Sequence, residues 1–207
     1  MRTFLLLMCI LSVTFSAKAQ LFGRDWSEGR VYDLSNKRFN GFVAWTPPEP
    51  TFSNKPGDKL YFKETKKKTE IEVPSSKIRA FVMGTDSFVV SHHPELAQAP
   101  FLAVKIDKAM KLFTSRSGRT SAPVSSGMGT GVSFHSSKIV YYYGADADMI
   151  TRLDKGNFIE VMSRIMSDKP EVVAKIKDKT YKYGDMLELL TFYRVTPEPV
   201  HTNSIPY

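Results

Sequence analysis

His92-His93-Pro94-Glu95 sets two imidazoles and a carboxylate side by side. A bound metal ion needs three or four donors converging on one point. Neighbouring side chains on an extended backbone point to opposite faces. The segment therefore reads as a surface loop, and no metal is assigned to it. Asp146 and Asp148, following Tyr141-Tyr142-Tyr143-Gly144, have the spacing that opens a cation loop. Ile150 and Thr151 stand where such a loop carries its fifth ligand and its turn glycine, so the pair reads instead as a turn leading into a helix. Glu70 and Glu72 share one strand face, where two carboxylates can flank a sugar as acid and base. Ile71 and Val73 alternate with them, which makes the glutamates the solvated side of a half-buried strand.

Gly127-Met-Gly-Thr-Gly131 is rich enough in glycine to suggest a phosphate cradle. The sequence after it, Val132-Ser-Phe-His135, alternates like a strand, and the Lys-Ser/Thr pair of a P-loop is missing. Nucleophile patterns are also missing: there is no Gly-x-Ser-x-Gly and no Ser-x-x-Lys. The one cysteine, Cys9, lies in an N-terminal apolar run. His135 and His201 are the remaining histidines, and no spacing ties them to a serine and an acid. No catalytic residue and no cofactor is assigned.

The lysines are more informative. Lys66-Lys67-Lys68 stand at the tip of an expected hairpin. Lys175, Lys177 and Lys179, with Lys182 beyond, line the wet face of an expected helix. Together they are the candidate binding residues, suited to an acidic polymer or an acidic partner surface.

Where the chain works follows from its start. Arg2, the apolar run Phe4 to Phe15, and Ala17-Lys18-Ala19 before Gln20 make a secretory signal peptide over residues 1–19. The run is about half of the roughly 20 residues that cross a bilayer as a helix, and no later stretch replaces it. The expected location is periplasmic or extracellular. The formal charge of +8 becomes +6 once Arg2 and Lys18 leave with the leader. Export takes a basic protein away from nucleic acid and toward anionic envelope material. With Cys9 removed, the chain has no disulfide, thiolate metal site or redox pair.

The elements that must position these residues fall into two parts. From Gly29 to Asp148 short alternating runs recur near every ten residues, broken by turns. Strands are expected at 30–34, 39–45, 60–62, 69–73, 78–83, 87–91, 101–106, 109–113, 132–134 and 139–143. Gly41 reads as a bulge. Residues 46–58 hold four prolines and form a loop. Thr114 to Gly131, rich in Ser, Gly and Thr, reads as a mobile loop. The Tyr141-Tyr142-Tyr143 run must turn at least one ring to the outer face, as a stacking platform or as cross-strand packing.

Beyond Asp148 the period becomes helical. Asn157 with Glu160 reads as a capping pair before Phe158, Val161, Met162, Ile165 and Met166. Asp168, Pro170 and Glu171 open a second helix with Val172, Val173 and Ile176 inward. Asp185 starts a third, with Met186, Leu187, Leu190 and Tyr193 inward, ending before Thr196-Pro197. The expected fold is α+β, with an antiparallel β-sandwich or open barrel body over about 29–148. Three short helices follow over about 157–194, then an extended tail from 195 to 207. Residues 20–207 form one domain.

Gly29-Arg-Val-Tyr-Asp33, Gly41-Phe-Val43 and Pro74-Ser-Ser-Lys-Ile-Arg-Ala-Phe81 resemble segments of a group of exported proteins common in Bacteroidota. The tyrosine run at 141, the stretch Asp168 to Ile176 and Tyr181-Lys-Tyr-Gly-Asp185 continue the likeness over most of the chain after the leader. The resemblance implies export and a β-rich body with C-terminal helices. It implies no activity and transfers no functional residue. The sequence therefore points to an exported non-enzymatic module binding an anionic polymer or an envelope protein. The alternative is a hydrolase of envelope saccharide or peptide.

Overall fold

A computed structural model describes residues 24–46, 57–120 and 135–198. The signal peptide, Cys9, Gln20, the glycines from 127 to 131, the strand expected at 132–134, His201 and most of the proline loop and tail lie outside the described residues. Ten strands form one open antiparallel sheet: β1 Ser27–Asp33, β2 Arg38–Ala44, β3 Lys59–Lys63, β4 Ile71–Pro74, β5 Ile78–Met83, β6 Asp86–Val90, β7 Phe101–Ile106, β8 Lys111–Thr120, β9 His135–Gly144 and β10 Ile150–Arg152. Their order across the sheet is β10-β9-β8-β7-β6-β5-β1-β2-β3-β4. Helices α1 Phe158–Ile165, α2 Pro170–Lys177 and α3 Met186–Val195 follow. The α+β class is as the sequence implies.

Alternation explains which face each strand buries. In β3, Leu60 and Phe62 are buried while Lys59 is exposed. The same rule places Val31, Val43, Phe81, Phe88, Phe101 and Ala103 with them in one apolar cluster. Register puts a second cluster on the same face of the sheet, since Ala103 pairs Thr114 and Ile106 pairs Leu112. There Ile106 and Leu112 meet Phe158, Met162, Ile165, Val172, Ile176, Leu189 and Tyr193 of the helices. Sheet and helices thus share a core. A third cluster, Leu96, Leu102, Phe113, Val140, Tyr142 and Ile150, fills the opposite face.

The first cluster is buried by curling. Trp45, just past β2, packs edge-on to Phe88 at 5.2 Å and to Phe101 at 5.6 Å between ring centroids. Four strand spacings of about 4.8 Å separate β2 from β7 in a flat sheet, too far for two rings to touch. The bend runs along a glycine pair: Gly29 lies opposite Gly41. A Cβ on Gly29 would stand 2.1 Å from the Val82 carbonyl oxygen, and one on Gly41 would stand 2.2 Å from that of Lys63. Gly41 is therefore a point of close strand approach rather than the expected bulge, and the β1–β2 register runs through it without a shift. Shifts occur instead at Tyr32/Asp33 and between Val104 and Ile106.

Other expectations need correction. Residues 114–120, read as the start of a loop, continue β8 and pair with β9 as far as His135. Polar strands carry no apolar period to betray them. Ile150–Arg152 is a strand, so the Asp146–Asp148 segment is a hairpin turn rather than a helix lead-in. Asp146 accepts hydrogen bonds there from the backbone N–H of Asp148 and Met149. Asn157 precedes α1 but does not cap it. Its side chain accepts from the Asp154 N–H and donates to the Arg152 carbonyl. Leu187 is 70% exposed, and Met186, Leu189, Leu190 and Tyr193 form the buried stripe of α3.

Candidate functional site

The C-terminal turn of α2 builds a concavity against the start of α1. Lys179 adopts a left-handed backbone, with φ 65°, and this reverses the chain at the helix end. The Asp178 carboxylate accepts from the Thr180 N–H at 2.8 Å and firms the reversal. Tyr181 and Lys182 then run into a single 3₁₀ turn, Tyr183–Asp185, closed by Asp185 accepting from the Lys182 N–H at 2.9 Å. This turn faces the start of α1 and leaves a pocket of about 440 Å³. Phe158, Ile159, Tyr181 and Tyr183 supply its apolar wall, while Lys155, Lys179 and Lys182 stand around it with Asp185. Tyr183 is fixed edge-on against Phe158 and Tyr141, each at 6.4 Å. None of the three lysines enters an ion pair among the described residues. Three ammonium groups against one carboxylate, over an aromatic wall, suit an anion carrying apolar surface.

The structure divides the lysines that the sequence grouped. Lys179 enters this pocket. Lys177 is exposed on α2, and Lys175 is half-buried with its ammonium 5.5 Å from the Phe192 ring. Lys66, Lys67 and Lys68 form the β3–β4 turn at the far edge of the sheet. Lys68 is paired with Glu64, and Lys66 lies 5.4 Å from the Phe42 ring. The two groups do not meet. Lys155 was missed, because its turn, Asp154-Lys155-Gly156-Asn157, has no periodicity that aims it at Lys179, 24 residues further along the chain. The Asp154 carboxylate, accepting from the Gly156 and Asn157 N–H groups, is what shapes that turn.

The carboxylate and histidine candidates are engaged elsewhere. Glu70 pairs with Arg24, and Glu72 with Lys59 at 2.7 Å. The Lys59 ammonium lowers the Glu72 carboxyl below its ordinary value. His92 and Asp148, 56 residues apart, do converge: the His92 N–H donates to Asp148 at 2.6 Å, and the ring Nδ1 lies 3.2 Å from the same oxygen. Ser91 Oγ donates to the Ala147 carbonyl at 2.6 Å, so it is turned toward backbone and not toward an imidazole. This group staples the end of β6 to the β9–β10 turn. No set of three metal-ligating side chains occurs among the described residues. Tyr141 and Tyr143 pack against the helical core, and Tyr142 is buried on the opposite face. The run packs within the fold, two rings against the helices and one on the other face of the sheet.

A polar cluster joins the helices to the β7–β8 turn. The Asp168 carboxylate holds the Lys108 ammonium at 2.5 Å and accepts from the Tyr193 hydroxyl at 3.0 Å. Burial alone would raise the Asp168 carboxyl, but the Lys108 and Tyr193 hydrogen bonds outweigh it and hold it below its ordinary value. Asp168 thus serves as a strut, and the residue preceding Pro170 at the start of α2 is Lys169. Lys169 is 8% exposed. Its ammonium donates to the Tyr193 and Thr196 carbonyls, satisfying the C-terminal end of α3.

Compared with known proteins, the chain matches no family model, no curated protein and no solved structure. No helix among the described residues is long and apolar enough to cross a membrane.

Proposed function

We propose that the chain is an exported, non-enzymatic module of the cell envelope or extracellular space that holds an anionic polymer or acidic partner. The observation that supports this reading is the Lys155–Lys179–Lys182 pocket with its wall of Phe158, Tyr181 and Tyr183. Lys175 and Lys177 extend the basic character along α2. The leader-like N-terminus and the resemblance to exported Bacteroidota proteins support the location. An exposed ion pair contributes only about 0.2–1 kcal/mol. A single anionic group therefore binds weakly, and useful affinity comes from repeated charges on one chain engaging several lysines together.

Polyglutamate tests charge recognition without a sugar ring. Binding of the purified protein is measured by calorimetry at low salt and at about 0.5 M salt, where screening falls to a few ångströms. The expected result is association at low salt that collapses at high salt and is lost when Lys155, Lys179 and Lys182 are replaced by Gln. Binding that is indifferent to salt, or undiminished in the triple variant, refutes the reading.

A further inference from the structure

The outer face of β1–β4 carries a second built feature. Register places Glu28, Phe42 and Lys63 side by side on the face opposite the curled core, with Tyr61 and Glu72 next to them on the same face. Trp26 stands just before β1. Three aromatic rings here are each covered by a cation: the Lys63 ammonium lies 4.1 Å from the Trp26 ring, Lys66 lies 5.4 Å from Phe42, and the Arg24 guanidinium lies 3.4 Å from Tyr61. The covers differ in how they are held. Arg24 is tied to Glu70 by an ion pair. Lys63 and Lys66 enter no ion pair among the described residues. Between their rings lies a pocket of about 380 Å³ lined by Trp26, Glu28, Phe42, Lys63 and Lys66, at the small end of the range for ligand sites.

We infer that this pocket binds one residue of an acidic polysaccharide, a uronic-acid-type sugar bearing a single carboxylate. A cation over an exposed ring contributes only about 0.5–1 kcal/mol, so a sugar can displace Lys63 and Lys66 from the ring faces at little cost. The C–H face of the pyranose then covers Trp26 or Phe42, and the displaced ammonium groups meet its carboxylate. Glu28 accepts hydrogen bonds from the hydroxyls on the sugar rim. The charges match: two ammonium groups and one carboxylate leave the pocket one positive charge, which a single anionic group per ring satisfies. A nucleotide also stacks and carries one charge, but its phosphate lies outside the base plane, away from ammonium groups resting beside the rings. This site is separate from the lysine pocket on the helices and does not depend on it.

The chain has two tryptophans, Trp26 at the pocket and Trp45 among the core rings, so a fluorescence change that Trp26→Ala abolishes reports on the pocket. The experiment titrates a galacturonate tetramer, the matching neutral galactose tetramer and a thymidylate tetramer into the purified protein. A saturable fluorescence change with the galacturonate tetramer is expected. Calorimetry should show affinity weakened about tenfold or more by Trp26→Ala, the scale of one lost stacking contact. Combined Lys63→Gln and Lys66→Gln, changes on the face opposite the core, should weaken it several-fold. The Gln variant at Lys155, Lys179 and Lys182 should bind the tetramer as the parent does. No binding, equal binding of the neutral tetramer, preference for thymidylate, or loss only in the helical-pocket variant each overturns the assignment.

Discussion

Gly41→Ala puts the curl of the sheet to a direct test. The added methyl would stand 2.2 Å from the Lys63 carbonyl oxygen and 2.9 Å from the Phe62 ring. An ordinary carbon–oxygen contact is near 3.4 Å, so β2 and β3 must part by about 1 Å where their pairing begins, at Phe42 and Lys63. Parting them weakens one or two ladder hydrogen bonds, each about 1 kcal/mol net. Crowding buried Phe62 adds about 1–3 kcal/mol. Removing a glycine from the unfolded chain offsets about 0.5–1 kcal/mol of this. The net loss is about 1–4 kcal/mol, or a fall in Tm of roughly 2–15 °C for a domain of this size. Gly184→Ala is the control, since nothing lies within 4 Å of the position a Cβ would take there. It should leave stability unchanged or raise it by a few tenths of a kcal/mol. Urea and thermal unfolding of the purified variants measure both. If Gly41→Ala stays within about 0.5 kcal/mol of the parent, the close approach of β2 and β3 is wrong and so is the glycine crease.

Two further outcomes are expected. Leu189→Ala, at a fully buried position of the helical core, should cost about 2–5 kcal/mol, while Leu187→Ala, at an exposed one, should stay within about 0.5 kcal/mol; equal costs in urea unfolding would mean that α3 presents a different face. Asp168→Asn should cost about 1–2 kcal/mol at neutral pH by releasing Lys108 and Tyr193. Because the folded Asp168 carboxyl lies below its ordinary value, its contribution is complete above the unfolded pKa of about 3.9 and is lost as pH falls through the folded value. The gap between parent and variant should therefore close in acid, and a gap that persists undiminished in urea midpoints down to about pH 2 would show that Asp168 is not ionised in the strut.

The elements were legible where side chains alternate in polarity and obscure where they do not. Ile78 to Met83 and Phe101 to Ile106 announce themselves by period, and both are strands with the expected bounds. The polar end of β8 carries no such signal, and its place comes from pairing with β9, a long-range fact that composition does not encode. In α3 apolar residues occupy six of eight positions from Met186 to Tyr193, so two stripes compete. The stripe through Leu187 and Leu190 runs on to Thr191 and Arg194, whereas Met186, Leu189, Leu190 and Tyr193 stay apolar throughout. Completeness of the stripe decided which face is buried. The lysines were visible, but their neighbours were not. Lys66 was noted as a charge, and its value as a ring cover depends on Phe42 coming alongside through the β2–β3 register.

Core construction explains where the two candidate surfaces lie. Over β7–β10 the sheet is covered on both faces, by the helices on one and by Leu96 with the β9–β10 turn on the other. Large side chains there are consumed by packing, the three consecutive tyrosines included. Over β1–β4 the sheet buries one face by curling on itself around Trp45. Its convex outer face keeps Trp26, Phe42 and Tyr61 half-exposed, each under a cation. Rings left half-exposed on a rigid strand face are pre-positioned for a flat ligand, and lysines resting on them supply charge without a buried ion to desolvate. The helical cover offers the same pairing of rings and ammonium groups in a turn rather than on a sheet. The helices cover the face that curls, whereas Phe42 and Lys63 stand on the other one, so the two surfaces lie on opposite sides of the sheet and each engages its ligand independently.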